Sequence, residues 1–342
     1  SNLVYYPATP EKWADTVGGL EPGYGPGVLI GRRAGEGKLP GGHNYSKSLT
    51  RLTFIASDGT EYELRDQLTG GQPYQNALGG EPFSRGTVFV SADGSAATFI
   101  SDTPITDPYL IATFHFVYPS GYLLFADGTR SRVEGGLIKW TRDRNGNRLS
   151  FAYGANSSDP LTYRRVLSVT DSLNRVVTVS YADMSTVMYD QISYKGVGGA
   201  PRAIKIWHAN LGQVLRPNSG YTIRTNRSLF PEFFDAPETL YDPTEMVSAV
   251  ELPDGRRYRF YYNPYGELAR VELPTGGAFE YDYTPGSGVV EYSEIHRRVI
   301  ERRVAPDGVN LAMKQIYSAT YTPPGSGPHF TTVIVEQRDA GD

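Results

Sequence analysis

The sequence predicts an all-β fold: consecutive antiparallel β-hairpins that build a curved or spiralling sheet, with few or no helices. Three observations predict it. A 21-residue block repeats near the C-terminal end, where Val250-Glu251-Leu252-Pro253-Asp254-Gly255 followed by Tyr258, Phe260 and Tyr262 returns as Val271-Glu272-Leu273-Pro274-Thr275-Gly276 followed by Phe279, Tyr281 and Tyr283. Turn signals recur every 20 to 35 residues through most of the chain. The composition, with 38 Gly, 24 Pro and 25 Tyr in 342 residues, suits many turns and many half-buried strands. Internal repeats at a fixed period mark folds that stack one supersecondary unit, because one unit alone cannot bury its apolar face.

Residues 1–45 come first and are crowded with Gly and Pro, as in Gly23-Tyr24-Gly25-Pro26-Gly27 and Pro40-Gly41-Gly42, with hardly any strand-length alternation. A coil draped over the sheet is expected there. Gly31-Arg32-Arg33-Ala34-Gly35-Glu36-Gly37-Lys38 lacks the spacing of a phosphate loop and places Leu39 where Ser or Thr would bind the metal. Residues 46–183 read as an irregular hairpin array. Asp58-Gly59, Asp93-Gly94 and Asp127-Gly128 each mark a hairpin turn ahead of an apolar run. Asp143-Arg144-Asn145-Gly146 before Leu149, Phe151 and Tyr153 matches Asp171-Ser172-Leu173-Asn174 before Val177, Val179 and Tyr181, at a spacing of 28 residues. Gly146 and Asn174 are the two residue types that most easily take positive φ.

Residues 184–248 interrupt the repeats. They hold a strand-like Ile204-Lys205-Ile206-Trp207 and then Leu229-Phe230-Pro231-Glu232-Phe233-Phe234. Such an aromatic insertion reads as a cap over an open end of the array that buries Phe230, Phe233 and Phe234, or as a plug or binding loop. Trp207, Phe230, Phe233 and Phe234 are therefore the candidate contacts for a partner or glycan. Residues 249–288 hold the regular repeats. Asn263-Pro264-Tyr265-Gly266 has the residue order of a type I turn. Before it, Tyr258, Phe260 and Tyr262 alternate with Arg257, Arg259 and Tyr261, the period of a strand with one buried face. The rings are expected to pack while the hydroxyls reach water. Residues 289–342 carry Arg297-Arg298 and Arg302-Arg303, which read as a solvated edge strand, then a Pro/Gly linker at 323–328 and a terminal strand from Thr332 to Glu336.

Tyr262-Asn263-x-x-Gly266-x-Leu268-x-x-Val271-x-x-Pro274-x-Gly276, closing on Tyr281-Asp282, resembles the YD repeat of the Rhs family of bacterial surface and toxin-associated proteins. Gly136-Leu137 leading through Asp143-Arg144-Asn145-Gly146-Asn147-Arg148 to Phe151-Ala152-Tyr153 is similar to the segment that opens such arrays. On this resemblance the residues that define the repeat are Gly146, Phe151, Tyr153, Tyr181, Gly255, Tyr258, Phe260, Tyr262, Gly266, Gly276, Phe279 and Tyr281. The resemblance implies an N-terminal or intermediate part of a longer YD-repeat protein at the bacterial cell surface or outside the cell. Its role would be structural, encapsulating or binding, and its partners the remainder of that longer chain, a protein or a glycan.

No catalytic constellation stands out. A net charge of −4 and a pI near 5.8 give no electrostatic reason for nucleic-acid binding. No run of about 18 apolar residues could span a bilayer. With no cysteine there is no thiol nucleophile and no disulfide. His43, His115, His208, His296 and His329 never fall at metal-ligand spacing. Asp143-Arg144-Asn145-Gly146-Asn147 begins like a calcium loop, but Arg148 stands in place of the required Gly and Gly154 in place of the twelfth-position Glu. The expectation is no cofactor, no metal and no chemistry. The alternative is a carbohydrate-active enzyme, which needs two carboxylates at the right separation in space.

Overall fold

The structure is a computed structural model that describes residues 24–38, 45–77, 82–107, 118–154, 165–230, 237–284, 297–310, 312–320 and 332–339. The chain divides into two compact units, Ser1–Val179 and Ser180–Asp342. Among the described residues helix is confined to one four-residue turn, α1 (Asn226–Leu229), and two 3-10 turns. The strands are antiparallel and joined as hairpins, as the turn spacing predicts.

In the first unit β1 (Gly27–Lys38) pairs with β2 (Tyr45–Ala56) residue for residue. The expected N-terminal coil is therefore a long strand over part of its length, and residues 1–23 and 39–44 lie outside the described residues. Alternation is hidden because Val28, Leu29 and Ile30 are buried in a row, Leu29 in one apolar cluster and its neighbours in another. From β2 the pairing runs through β3 (Glu61–Asp66), with β4 (Tyr74–Ala77) on the first residues of β2. It continues through β5 (Val88–Ser91), β6 (Thr98–Ser101), β7 (Gly121–Leu124), β8 (Arg130–Glu134) and β9 (Leu137–Arg142).

The sheet then closes on itself. Val28 of β1 pairs with Leu137 of β9, and the Leu29 N–H donates to the Gly136 carbonyl at 2.8 Å. Gly136 is required at this seam, because a Cβ there would lie 2.6 Å from the Leu29 carbonyl oxygen and its φ is +79°. Strands β1, β2, β3, β5, β6, β7, β8 and β9 thus form an eight-stranded ring, a size whose interior side chains just fill. Each strand supplies the filling: Leu29, Leu52, Phe54, Leu64, Phe89, Phe99, Leu123, Val133 and Ile138. The later half of β9 pairs instead with β10 (Arg148–Tyr153), which leads to β11 (Val166–Asp171) and β12 (Val176–Ser180).

The second unit is a meander in which each strand pairs with the next. Its order is β13 (Tyr189–Lys195), β14 (Pro201–Ala209), β15 (Met246–Glu251), β16 (Arg257–Tyr262), β17 (Leu268–Glu272), β18 (Ala278–Thr284), β19 (Arg298–Ala305), β20 (Met313–Thr320) and β21 (Thr332–Asp339). The arginine-rich segment is not an edge: β19 has β18 on one side and β20 on the other. Directly opposed residues share a face. One cross-strand row reads Phe260, Val271, Phe279, Val304, Met313, and the next reads Tyr261, Arg270, Glu280, Arg303, Lys314. The first row is apolar, and the second, on the opposite face, carries charges of both signs.

The turns share one geometry. In Asn263–Glu267 the Gly266 N–H donates to the Asn263 carbonyl and the Asn263 N–H to the Glu267 carbonyl. Ala56–Thr60, Phe125–Thr129, Asp143–Asn147, Asp171–Arg175, Leu252–Arg256 and Leu273–Gly277 repeat both bonds. This is a type I turn closed by a residue of positive φ, which is Asn174 (φ 58°) in one turn and Gly in the others. Asp93-Gly94 departs from it, since positive φ there falls on Ala96 and the loop closes from Ser91 to Ala97. In the turns that carry an Asp, its carboxylate accepts backbone N–H groups. Those of Thr60 and Thr129 hold Asp58 and Asp127 below the ordinary carboxyl pKa.

Candidate functional site

The recurring tyrosines are where the repeat acquires a physical meaning. Tyr262 Oη donates to the Val247 carbonyl, Tyr283 Oη to the Leu268 carbonyl and Tyr153 Oη to the Ile138 carbonyl, each at 2.8 Å and each across 15 residues. Each acceptor lies at the start of the strand before the tyrosine's own. The residue after each acceptor, Lys139, Ser248 and Ala269, is passed over by the strand pairing as a β-bulge. A bulge breaks the ladder locally. The hydroxyl bonds to the carbonyl next to that break, so these hydroxyls do not serve solvent as the sequence suggests. Burial holds the Tyr262 and Tyr283 phenols above their ordinary pKa, with nearby Glu267 adding to the effect at Tyr283. Leu268 links consecutive repeats, because it pairs with Tyr262 and accepts from Tyr283.

The other repeat-defining residues pack or turn. Phe151, Tyr181, Tyr258, Phe260, Phe279 and Tyr281 are half-buried, and Gly146, Gly255, Gly266 and Gly276 supply positive φ.

Tyr189–Ala209, within the expected 184–248 interruption, is a hairpin of the sheet, and among the described residues from 210 to 245 there is no ladder strand. Its buried residues among those described are Leu211, Val214 and Leu229. The Thr225 side chain caps α1 by accepting from the Ser228 N–H at 3.2 Å. The segment straps onto the end of β16: the Tyr262 N–H donates to the Val214 carbonyl and the Arg216 N–H to the Tyr262 carbonyl. Phe230 meets Tyr241 and Tyr265 edge-on, each at 5.8 Å. Trp207, on β14, has other neighbours: its ring lies 4.6 Å from Tyr189 and under the Arg257 guanidinium at 5.3 Å. Phe233 and Phe234 lie outside the described residues, as do His43, His115, His296, His329 and the 323–328 linker.

Between the strap and the charged face lies a cleft of roughly 570 Å³, lined by Arg216, Asn218, Ser219, Arg270, Glu280 and Arg303 among others. Its charges are already paired. Arg216 bonds Asp282 at 2.7 Å, Arg303 bonds Asp282 at 2.6 Å and Glu280 at 3.1 Å, and Arg270 bonds Glu280 at 2.6 Å and Glu272 at 3.1 Å. Burial works to raise the Glu280 pKa, but hydrogen bonding from Arg270 and the charge of Arg303 outweigh it and hold the carboxyl low. Asp282 behaves likewise, with burial outweighed by Arg303 and Arg216. A glycosidase proton donor needs the opposite shift. Arg297 joins Glu267 at 2.9 Å and stacks on Tyr265 at 3.7 Å, while Arg302 bonds Gln315.

At Asp143 the expected calcium-like oxygens are occupied by protein donors, the N–H groups of Asn145 and Asn147 and the Asn147 Nδ2. Among the described residues no cluster of three or more His, Asp or Glu could hold a metal ion, and no helix is long and apolar enough to cross a membrane.

No family model matches the sequence, and no curated protein matches it. Among solved structures the chain is similar to the Photorhabdus luminescens Tc holotoxin pore carrying a mutation in its TccC3 component, at 11% identity and a TM-score of 0.21. That match covers 90% of this chain and 17% of the other, so the chain spans about a sixth of that protein's length.

Proposed function

We propose that the chain is a non-catalytic β-scaffold of YD-repeat type, part of a bacterial surface or secreted protein, with a structural, encapsulating or binding role towards a protein partner or a glycan. The observation that carries this reading is the recurrence of one holding device. The hydroxyls of three recurring tyrosines, Tyr153, Tyr262 and Tyr283, are spent on carbonyls beside bulges, the turn carboxylates on backbone N–H groups, and the cleft arginines on neighbouring carboxylates. Placement at the surface or outside the cell rests on the sequence resemblance.

A glycan array followed by a reducing-sugar assay on any hit tests the reading. The scaffold is expected to release no sugar from any oligosaccharide. A hit without turnover that is lost in Trp207→Ala or Phe230→Ala makes the role glycan binding, and silence makes it assembly with a protein partner. Turnover that Glu280→Gln abolishes would overturn the reading in favour of a carbohydrate-active enzyme.

A further inference from the structure

We propose that His208 is a pH-operated latch at the root of the 210–245 insertion, closed while the imidazole carries its extra proton and loosened when that proton leaves.

His208, one residue before the end of β14, pairs with Val247 just past the bulge that skips Ser248. Its Nε2 lies 3.2 Å from Asp190 Oδ2 on β13, and its Nδ1 lies 3.4 Å from the Glu245 carbonyl oxygen, where the insertion returns to β15. Both neighbours are acceptors. A neutral imidazole has one N–H and one lone pair, so it can serve only one of them and turns its lone pair towards the other oxygen. An imidazolium serves both.

The site is enclosed enough for this to matter, since both side chains are only 12% exposed. Asp190 also accepts the Ala182 N–H at 2.7 Å, so the ring connects the turn before β13, β13 itself and the return of the insertion. The charged groups that face the ring are Asp190 from β13 and Glu245 from the insertion, and both are acidic. The hydrogen bond to Asp190 dominates, burial opposes it, and the balance raises the His208 pKa above its ordinary value. The sign follows from linkage: the contribution is complete below the free-histidine pKa of about 6.5 and is lost as pH rises through the higher folded value. The rest of the root is held by the Leu211 N–H on the Pro243 carbonyl and the Gly212 N–H on Asp242.

Hydrogen exchange of the 210–230 segment, referred to the 246–262 segment of the same molecule and corrected for intrinsic rates, reads the latch directly. Between pH 6 and 8.5 the corrected ratio is expected to rise about fivefold to tenfold in the unaltered chain, the scale of one intramolecular hydrogen bond. It should stay flat in His208→Gln, whose side chain does not titrate. A flat ratio in the unaltered chain, or the same rise in His208→Gln, would overturn the latch. Imidazole 15N shifts in the unaltered chain supply a readout that needs no variant: His208 is expected to be doubly protonated at pH 6.5, and a neutral ring there would overturn the proposal as well.

Discussion

Arg85→Met is expected to cost the first unit about 3–5 kcal/mol, the scale of breaking a buried ion pair from one side. Arg85 is fully buried, and every guanidinium nitrogen is occupied. Nε and Nη2 bond Asp107 at 2.9 and 2.6 Å, Nη2 also bonds the Ser48 carbonyl, and Nη1 reaches Asp66, Thr69 Oγ1 and the Gln72 carbonyl. Ser48 and Thr50 donate to Asp107, and Thr69 donates to Asp66. The cluster ties β2 and the end of β3 to the segments around 85 and 107. Removing the cation leaves two buried carboxylates without their counter-charge. Lys keeps the charge without the planar fork, so Arg85→Lys is expected to fall between the two. Replacing Arg85, Asp66 and Asp107 together by apolar residues of similar volume should cost far less than Arg85→Met alone. Urea unfolding followed by exchange of β2, β3 and β5 peptides measures the loss for this unit, and a loss below about 1 kcal/mol would contradict the account.

Phe99→Ala is expected to cost about 3–5 kcal/mol in the same measurement, towards the upper end. The Phe99 ring is fully buried in the core of the closed ring, among side chains drawn from every strand of it. Such a wall has little freedom to move inward and fill the space, and the cost of a cavity grows with the volume left unfilled. Nor can the neighbouring Gly121 take a side chain to fill the space, since a Cβ there would meet the Ile100 carbonyl oxygen at 2.2 Å. Phe99→Leu, which keeps most of the volume, should lose less than half as much.

Neither effect could be read from the sequence, and the reason is distance along the chain. Asp66, Arg85 and Asp107 stand 19 and 22 residues apart in three segments, and nothing in any one of them marks it as half of a pair. The ring closes between Val28 and Leu137, residues that look like ordinary members of different hairpins. The turns were legible because their chemistry is local: Asn263-Pro264-Tyr265-Gly266 states its geometry within four residues, and Asn174 marks a positive φ as clearly as Gly146 does. The bonding of tyrosine hydroxyls to carbonyls was half legible. Its tyrosines recur in the sequence, but any residue can offer a carbonyl, so nothing marked Val247, Leu268 or Ile138 as acceptors. The arginines at 302–303 misled because a strand with charged residues on both faces reads the same at an edge as inside a sheet. Here the cross-strand partners Glu280 and Gln315 are what place it inside.

The central claim is that Tyr262 and Tyr283, which recur 21 residues apart, hold the sheet through their hydroxyls. Single Tyr→Phe replacements at Tyr262, Tyr283 and Tyr258 test it most directly, because each keeps the ring and removes only the oxygen. Tyr262→Phe and Tyr283→Phe should each lower the stability of the second unit by about 1 kcal/mol in urea unfolding, the worth of one intramolecular hydrogen bond. Tyr258 sits in the same repeat on the same strand as Tyr262 without that bond, and Tyr258→Phe should stay within about 0.5 kcal/mol of the unaltered chain. Equal losses at all three positions, or no loss at Tyr262 and Tyr283, would contradict the claim.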